Sequence, residues 1–148
     1  MRASWDCYFL KLAFVVSERS PDLRTQVGAV IVDSKKRIVS TGYNGTPSGF
    51  DDSFIDWFDE SKYPYILHAE SNAISFANAD LSGCTLYSTL IPCSECTKLI
   101  VQNGIRNVIY SDHREGFEFS LDLMRKCGVV YRRIPIEGLD LEIKRSKS

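Results

Sequence analysis

One histidine, two cysteines and one glutamate carry the chemistry this chain can do, in two short strings: His68-Ala69-Glu70 and Pro92-Cys93-Ser94-Glu95-Cys96. Imidazole nitrogen and thiolate sulfur are donors that zinc prefers, and a catalytic zinc keeps three protein ligands and leaves its fourth position to water. His68, Cys93 and Cys96 meet that count. Cys93 and Cys96 stand three apart at a predicted helix start, so both sulfurs can reach one ion, and the free N–H groups and helix dipole there favour thiolates. Pro92 suits that first turn because its missing N–H costs nothing there. Glu70 separates a catalytic site from a structural one. Two residues beyond His68, it can stand beside the metal without binding it. Zinc lowers the pKa of a bound water from about 15.7 towards about 7, and a carboxylate in reach can take that proton and pass it on.

A closed structural zinc would need a fourth ligand. His113, the only other histidine, falls in a loop, so Cys7, Cys84 or Cys127 would have to supply it. A C-x-x-C alone also fits a redox pair or a structural half-site. The joint arrangement, with a strand between the two strings and a helix after each, favours the catalytic reading.

The elements that must position these residues follow from periodicity. Trp5, Tyr8, Phe9, Leu12, Ala13 and Val16 recur at helical spacing, with Ser4 as N-cap, which predicts a first helix ending near Arg19. Residues 27–32 are a β-branched apolar run, as in a strand covered on both faces, and residues 37–42 return as its hairpin partner. From Gly42 to Tyr65 periodicity fails. A loop this long is functional or disordered, and its aromatics Phe54, Trp57, Phe58, Tyr63 and Tyr65 predict a packed segment overhanging a pocket or a subunit contact. A helix is expected from His68 to about Leu81, a strand over 85–89, a helix from Pro92 to Asn103-Gly104, a strand over 107–110, a helix over 119–126 and a strand over 129–131. Strand and helix alternate in this second half, so its strands should be parallel.

Composition sets the outer bounds. A chain of 148 residues and 16.8 kDa fits one domain, residues 1–148, and 44% hydrophobic residues suffice for a core without disulfides. Five cysteines with one close pair suggest metal or catalysis, with Cys7, Cys84 and Cys127 reduced and mostly buried. A net charge of −1 and pI near 6.1 argue against a polynucleotide partner, and Lys144, Arg145 and Lys147 read as a solvated tail. Neither a signal-like N-terminus nor a run of about 18 uncharged apolar residues is visible, so a cytoplasmic protein off the membrane is expected.

The order H-x-E then P-C-x-x-C is the signature of zinc-dependent nucleobase deaminases, which points to hydrolytic deamination of an amino-substituted ring. With Trp5-Asp6, residues 25–32, Gly42-Tyr43-Asn44-Gly45 and Tyr63-Pro64-Tyr65 added, nearly the whole chain resembles the cytidine deaminase superfamily, most closely its deoxycytidylate (dCMP) deaminases. The resemblance implies a three-layer α/β/α fold with a central mixed sheet of about five strands, and conversion of dCMP to dUMP and ammonia for thymidylate synthesis. It implies a homo-oligomer, with a hexamer favoured, and one Zn²⁺ per subunit, since residues 50–65 lack the Cys and His that bind a second, structural zinc in some relatives. The loop aromatics would then hold that segment by packing. Asn44 matches the residue that contacts the sugar, and Ala69, Arg24, Tyr110 and Arg114 match positions near the nucleotide or its phosphate. Gly42, Tyr43, Asn44 and Gly45 match a regulatory stretch where dCTP activates and dTTP inhibits, with Mg²⁺ accompanying the triphosphate. Two alternatives stand beside this: dCTP as sole or additional substrate, and a non-catalytic zinc-stabilised module that binds nucleotides as regulatory ligands.

Overall fold

The computed structural model describes residues 2–142, so the basic tail residues Lys144, Arg145 and Lys147 lie outside the described residues. Helix α1 (Trp5–Ser17) begins where the Ser4 hydroxyl accepts the Cys7 N–H. Strands β1 (Gly28–Val32) and β2 (Ile38–Tyr43) form the hairpin expected from the β-branched runs. Helix α2 (Ala69–Phe76), strand β3 (Thr85–Leu90), helix α3 (Ser94–Gln102), strand β4 (Asn107–Asp112), helix α4 (Glu118–Lys126) and strand β5 (Val130–Arg133) then alternate. The sheet order is β2-β1-β3-β4-β5. The β1–β2 and β1–β3 pairs are antiparallel, and β3–β4 and β4–β5 are parallel.

Alternation along the strands divides the core into two layers. Val30, Val32, Tyr87 and Ile109 face α1 and pack on Phe9, Leu10 and Ala13. Ala29, Ile31, Leu86 and Val108 face the other way, onto Ala69 and Ala73 of α2, Ile100 of α3 and Met124 of α4. Every residue of β1 is buried, as its unbroken apolar run predicts. Two glycines let helix backbone touch strand backbone. A Cβ at Gly28 would lie 2.0 Å from the Ala13 carbonyl oxygen, and one at Gly42 would lie 2.4 Å from the Ala73 nitrogen.

Four expectations change. Helix α2 stops at Phe76 rather than near Leu81: Ala77 is extended, and the Asp80 carboxylate accepts the Ser82 N–H in a turn. The segment between β2 and α2 contains short 3-10 helices over Asp52–Phe54 and Glu60–Tyr65. Its aromatics pack only partly, Phe50 against Phe54 and Tyr65 at 5.9 and 5.2 Å between ring centres, while Phe54, Phe58, Tyr63 and Tyr65 stay exposed. Of the three scattered cysteines only Cys84 is buried, while Cys7 is half-buried and Cys127, at the C-cap of α4, is exposed. No helix among the described residues is long and apolar enough to cross a membrane.

Candidate functional site

The helix starts of α2 and α3 meet beside the end of β3. His68 is the N-cap of α2 and Cys93 the N-cap of α3, so both project from the half-in positions that precede a helix. Pro92 thus precedes the cap instead of occupying the first turn. The Cys93 sulfur accepts the Cys96 N–H at 3.4 Å, the bond an N-cap side chain makes. Nδ1 of His68 lies 3.2 Å from Cys93 Sγ and 3.3 Å from Cys96 Sγ. Around a tetrahedral zinc with ordinary bond lengths such donor pairs stand about 3.5 Å apart, so the three side chains fit the ion with little adjustment. Among the described residues this is the only group of three or more His, Cys, Asp or Glu side chains placed to hold a metal. No fourth such ligand joins it. The fit is that of an open, catalytic zinc site, with His68 exposed towards a cleft and Cys96 buried behind it.

Without an ion the cluster shares its protons unevenly, and a zinc ion would displace those held on Cys96 and His68. The hydrogen bond from the Cys96 thiol holds Cys93 down at about 4 against the cost of burial, with help from His68. The same bond and burial push the Cys96 thiol up. His68 is raised, first by its bond to Cys93, with burial opposing.

Glu70 lies on the first turn of α2, 3% exposed, and accepts a hydrogen bond of 2.6 Å from the Ser88 hydroxyl on β3. Burial raises its pKa, against the lowering effects of Ser88, Cys96 and His68. A carboxyl whose pKa is raised towards the working pH holds and releases a proton readily. A cleft of about 120 Å³ opens in front of these groups, lined by His68, Ala69, Glu70 and Cys93 on one side and by Asn44, Tyr63 and Arg114 elsewhere.

A His-Cys-Cys group able to hold zinc, a buried carboxyl beside it and an adjoining cleft suit a hydrolytic deaminase, and sequence comparison agrees on the family. The profile of the cytidine and deoxycytidylate deaminase zinc-binding region matches residues 3–112. The chain belongs to that family. It is similar to deoxycytidylate deaminase of Mus musculus, 43% identical over 141 residues covering 87% of this chain and 79% of the mouse protein. The Homo sapiens deoxycytidylate deaminase matches at the same identity and coverage. Among solved structures, dCMP deaminase of cyanophage S-TIM5 in complex with dCMP and dUMP superimposes with a TM-score of 0.75 at 29% identity, covering 90% of this chain and 99% of that one. This deaminase chain is therefore an enzyme of the family, with the mixed five-stranded sheet its members share.

Within this deaminase fold the remaining predicted residues fall in different places. Asn44 lines the catalytic cleft, and its amide is fixed on both sides: Oδ1 accepts the Val27 N–H and Nδ2 donates to the Thr25 carbonyl, both at 2.8 Å. Arg114 lines the same cleft. Arg24 does not, and instead donates from Nη1 to the Phe58 carbonyl at 2.9 Å. Tyr110 is buried in the core on β4, and it too is absent from the cleft lining. Gly42, Tyr43 and Gly45 line a second cleft together with Arg19 and Asn72, so residues 42–45 separate the two cavities. Gly42 has a packing reason as well, its contact with the α2 backbone.

Several side chains were not singled out from the sequence. Ser88, which orients Glu70, sits in β3 at a position that alternation alone could have aimed at α2. Asp22 and Phe117 line the cleft from positions that carry no motif, and Thr25 does so from a stretch that resembles the family without marking it as a site residue.

Proposed function

We propose that this deaminase converts dCMP to dUMP with release of ammonia, supplying dUMP for thymidylate synthesis in the cytoplasm as a single-domain subunit. The observation that carries the chemistry is Glu70, buried and hydrogen-bonded to Ser88 at 2.6 Å beside the His68, Cys93 and Cys96 cluster. The choice of dCMP rests on the relatives named as deoxycytidylate deaminases and on the phage enzyme solved with dCMP and dUMP.

His68, Cys93 and Cys96 would hold the zinc, which when bound supplies a Lewis acid that lowers the pKa of water to near neutrality. Glu70 then takes a proton from the attacking water as oxygen adds to C4 of the cytosine ring. It delivers that proton to ring N3, then carries the proton of the new C4 hydroxyl to the amine, which leaves as ammonia while C4 becomes a carbonyl. Ser88 holds the Glu70 carboxyl through this cycle by its hydroxyl. Asn44 contacts the sugar with the N–H and lone pair that its two backbone bonds leave free. The Arg114 guanidinium suits the 5′-phosphate, for which a planar fork of donors is a good partner; Ala69 meets the base through its backbone. Arg24 and Tyr110 support the walls from behind.

Residues 42–45 are the regulatory stretch in this reading. dCTP with Mg²⁺, or dTTP, would occupy the second cleft, where Arg19 offers a charge for phosphate and Tyr43 a ring. The exposed Phe54, Phe58 and Phe76 support assembly as a homo-oligomer, with a hexamer favoured. The test is deamination by zinc-loaded protein of dCMP, dCTP, deoxycytidine and cytidine, each with and without dCTP or dTTP and Mg²⁺. The highest kcat/KM is expected for dCMP, lowered by dTTP and raised at low substrate by dCTP. Turnover of dCTP or a nucleoside without turnover of dCMP would overturn the substrate.

A further inference from the structure

Besides Glu70, the charged side chains buried among the described residues are Lys62 and Asp22, 1% and 2% exposed. They form an ion pair of 2.9 Å, and Lys62 Nζ also donates to the Trp57 carbonyl at 2.7 Å. The same Asp22 oxygen accepts the N–H groups of Arg24 at 3.0 Å and Thr25 at 3.3 Å. Thr25 in turn offers its carbonyl to the Asn44 amide at 2.8 Å. An unbroken chain of bonds therefore runs from Lys62 through Asp22 and Thr25 to Asn44. Tyr63, the neighbour of Lys62, lines the same cleft as Asp22, Thr25 and Asn44.

An ion pair is a poor way merely to fill space. Desolvating two charges offsets most of their attraction, and apolar side chains of similar volume stabilise a core as well or better. What the pair adds is direction: three donors converge on one carboxylate oxygen and fix the backbone that fixes Asn44. With Asn44 as the sugar contact, we propose that Lys62 is a positioning residue, which joins the 57–66 segment and the sugar-facing wall into one unit and so sets affinity and sugar preference without touching substrate. This rests on the reading of Asn44 given above.

The experiment compares zinc-loaded wild type, Lys62→Met, and the double variant Asp22→Asn/Lys62→Met. The amide oxygen that the second change places at position 22 can still accept the Thr25 N–H, but nothing ties it to residues 57–66. Lys62→Met is expected to keep its zinc, raise KM for dCMP about tenfold with kcat within about threefold, and lower the preference for dCMP over CMP about fivefold. The double variant is expected to regain thermal stability while its KM stays raised. Amide hydrogen exchange in residues 22–27 and 57–66 should quicken in both. Wild-type KM and sugar preference in Lys62→Met would overturn the proposal, as would a double variant in which both return together with stability. If Lys62→Met does not fold, the double variant decides by amide exchange in residues 22–27, with wild-type exchange there overturning the proposal. A wild type inert towards dCMP would sink the substrate reading instead. The exchange arm would then judge the coupling, with unchanged exchange in residues 22–27 counting against it.

Discussion

The two walls of the catalytic cleft are built by different means. The chemical wall carries His68 and Cys93 at the N-caps, and Glu70 and Cys96 on the first turns, of α2 and α3, and those helices lie on a five-stranded sheet through a continuous buried core. Helix α2 touches β2 backbone to backbone at Gly42. The opposite wall combines Asp22, Thr25 and Asn44 with Tyr63 and Ile66 of the 46–66 segment, which carries two 3-10 helices and several exposed aromatics. A few polar bonds fasten that segment: the reciprocal Gly45–Leu67 pair at 3.1 and 2.7 Å, Arg24 to the Phe58 carbonyl, and Lys62 to Asp22. Reaction chemistry needs fixed geometry, which packed secondary structure supplies. The 46–66 segment is instead held in place by a handful of side-chain bonds, so its position is open to adjustment. Damage to the first wall should stop the reaction or weaken the fold, whereas damage to the second should shift binding.

The sharpest break in that contrast is Glu70→Gln. It should lower kcat about a thousandfold with zinc content unchanged, as expected for loss of a proton carrier. It should also stabilise the apoprotein. Burial raises the folded pKa of Glu70, so below the ordinary carboxylate value both folded and unfolded states are protonated and nothing is lost. As pH rises the unfolded chain ionises first, and wild-type stability falls until the raised folded pKa is passed. The gap in Tm between the Gln variant and wild type, both treated with chelator, should therefore widen from pH 4 to pH 8. A gap that stays flat would show that Glu70 is not held in a desolvating site.

Zinc removal comes next in size. Free zinc at about 1,000 times its Kd stabilises a folded site by about 4 kcal/mol, so urea unfolding with and without chelator should differ by that order and activity should vanish. Gly28→Ala tests the backbone contacts of the packed layers. Its Cβ would meet the Ala13 carbonyl oxygen at 2.0 Å and the Ser17 nitrogen at 2.6 Å, so α1 must shift, at a cost of about 1–3 kcal/mol read as a lower urea midpoint. Phe54→Ser should do least to the single chain. The ring is 76% exposed, and unfolding at low protein concentration should change by no more than about 0.5 kcal/mol. Sedimentation should nevertheless show weaker self-association if this wall meets another subunit.

The same contrast explains what could be read from the chain. His68, Glu70, Cys93 and Cys96 were legible because metal and proton chemistry demand particular atoms at short spacing, and β1 was legible from its β-branched run. The anchoring of residues 46–66 was not. Lys62 beside Tyr63-Pro64-Tyr65 reads as an exposed charge, and its partner Asp22 is 40 residues earlier, so only the fold reveals the pair. Several aromatics expected to pack stay at the surface, while Phe50, Phe54 and Tyr65 meet one another. Arg24 suited a phosphate by type, yet its guanidinium is bonded to a loop carbonyl, a competition that no spacing rule registers. The stop of α2 at Phe76 was hidden because Ala77 and Ala79 continue a helical composition, while the Asp80 turn decides against it.

Strand β3 has a position in the sheet that bears on how the molecule forms. It enters between β1 and β4, and in the sequence it separates His68 from Cys93. A chain that has not yet placed β3 offers an incoming ion only the nearby pair Cys93 and Cys96. Bringing the imidazole to that pair is expected to wait until the middle of the sheet closes, which would make full coordination a late event in folding. Contacts made after the rate-limiting barrier slow escape from the native state and leave the approach to it unchanged. Zinc should accordingly act as a latch, lengthening the lifetime of the folded enzyme while refolding proceeds at the pace of the sheet.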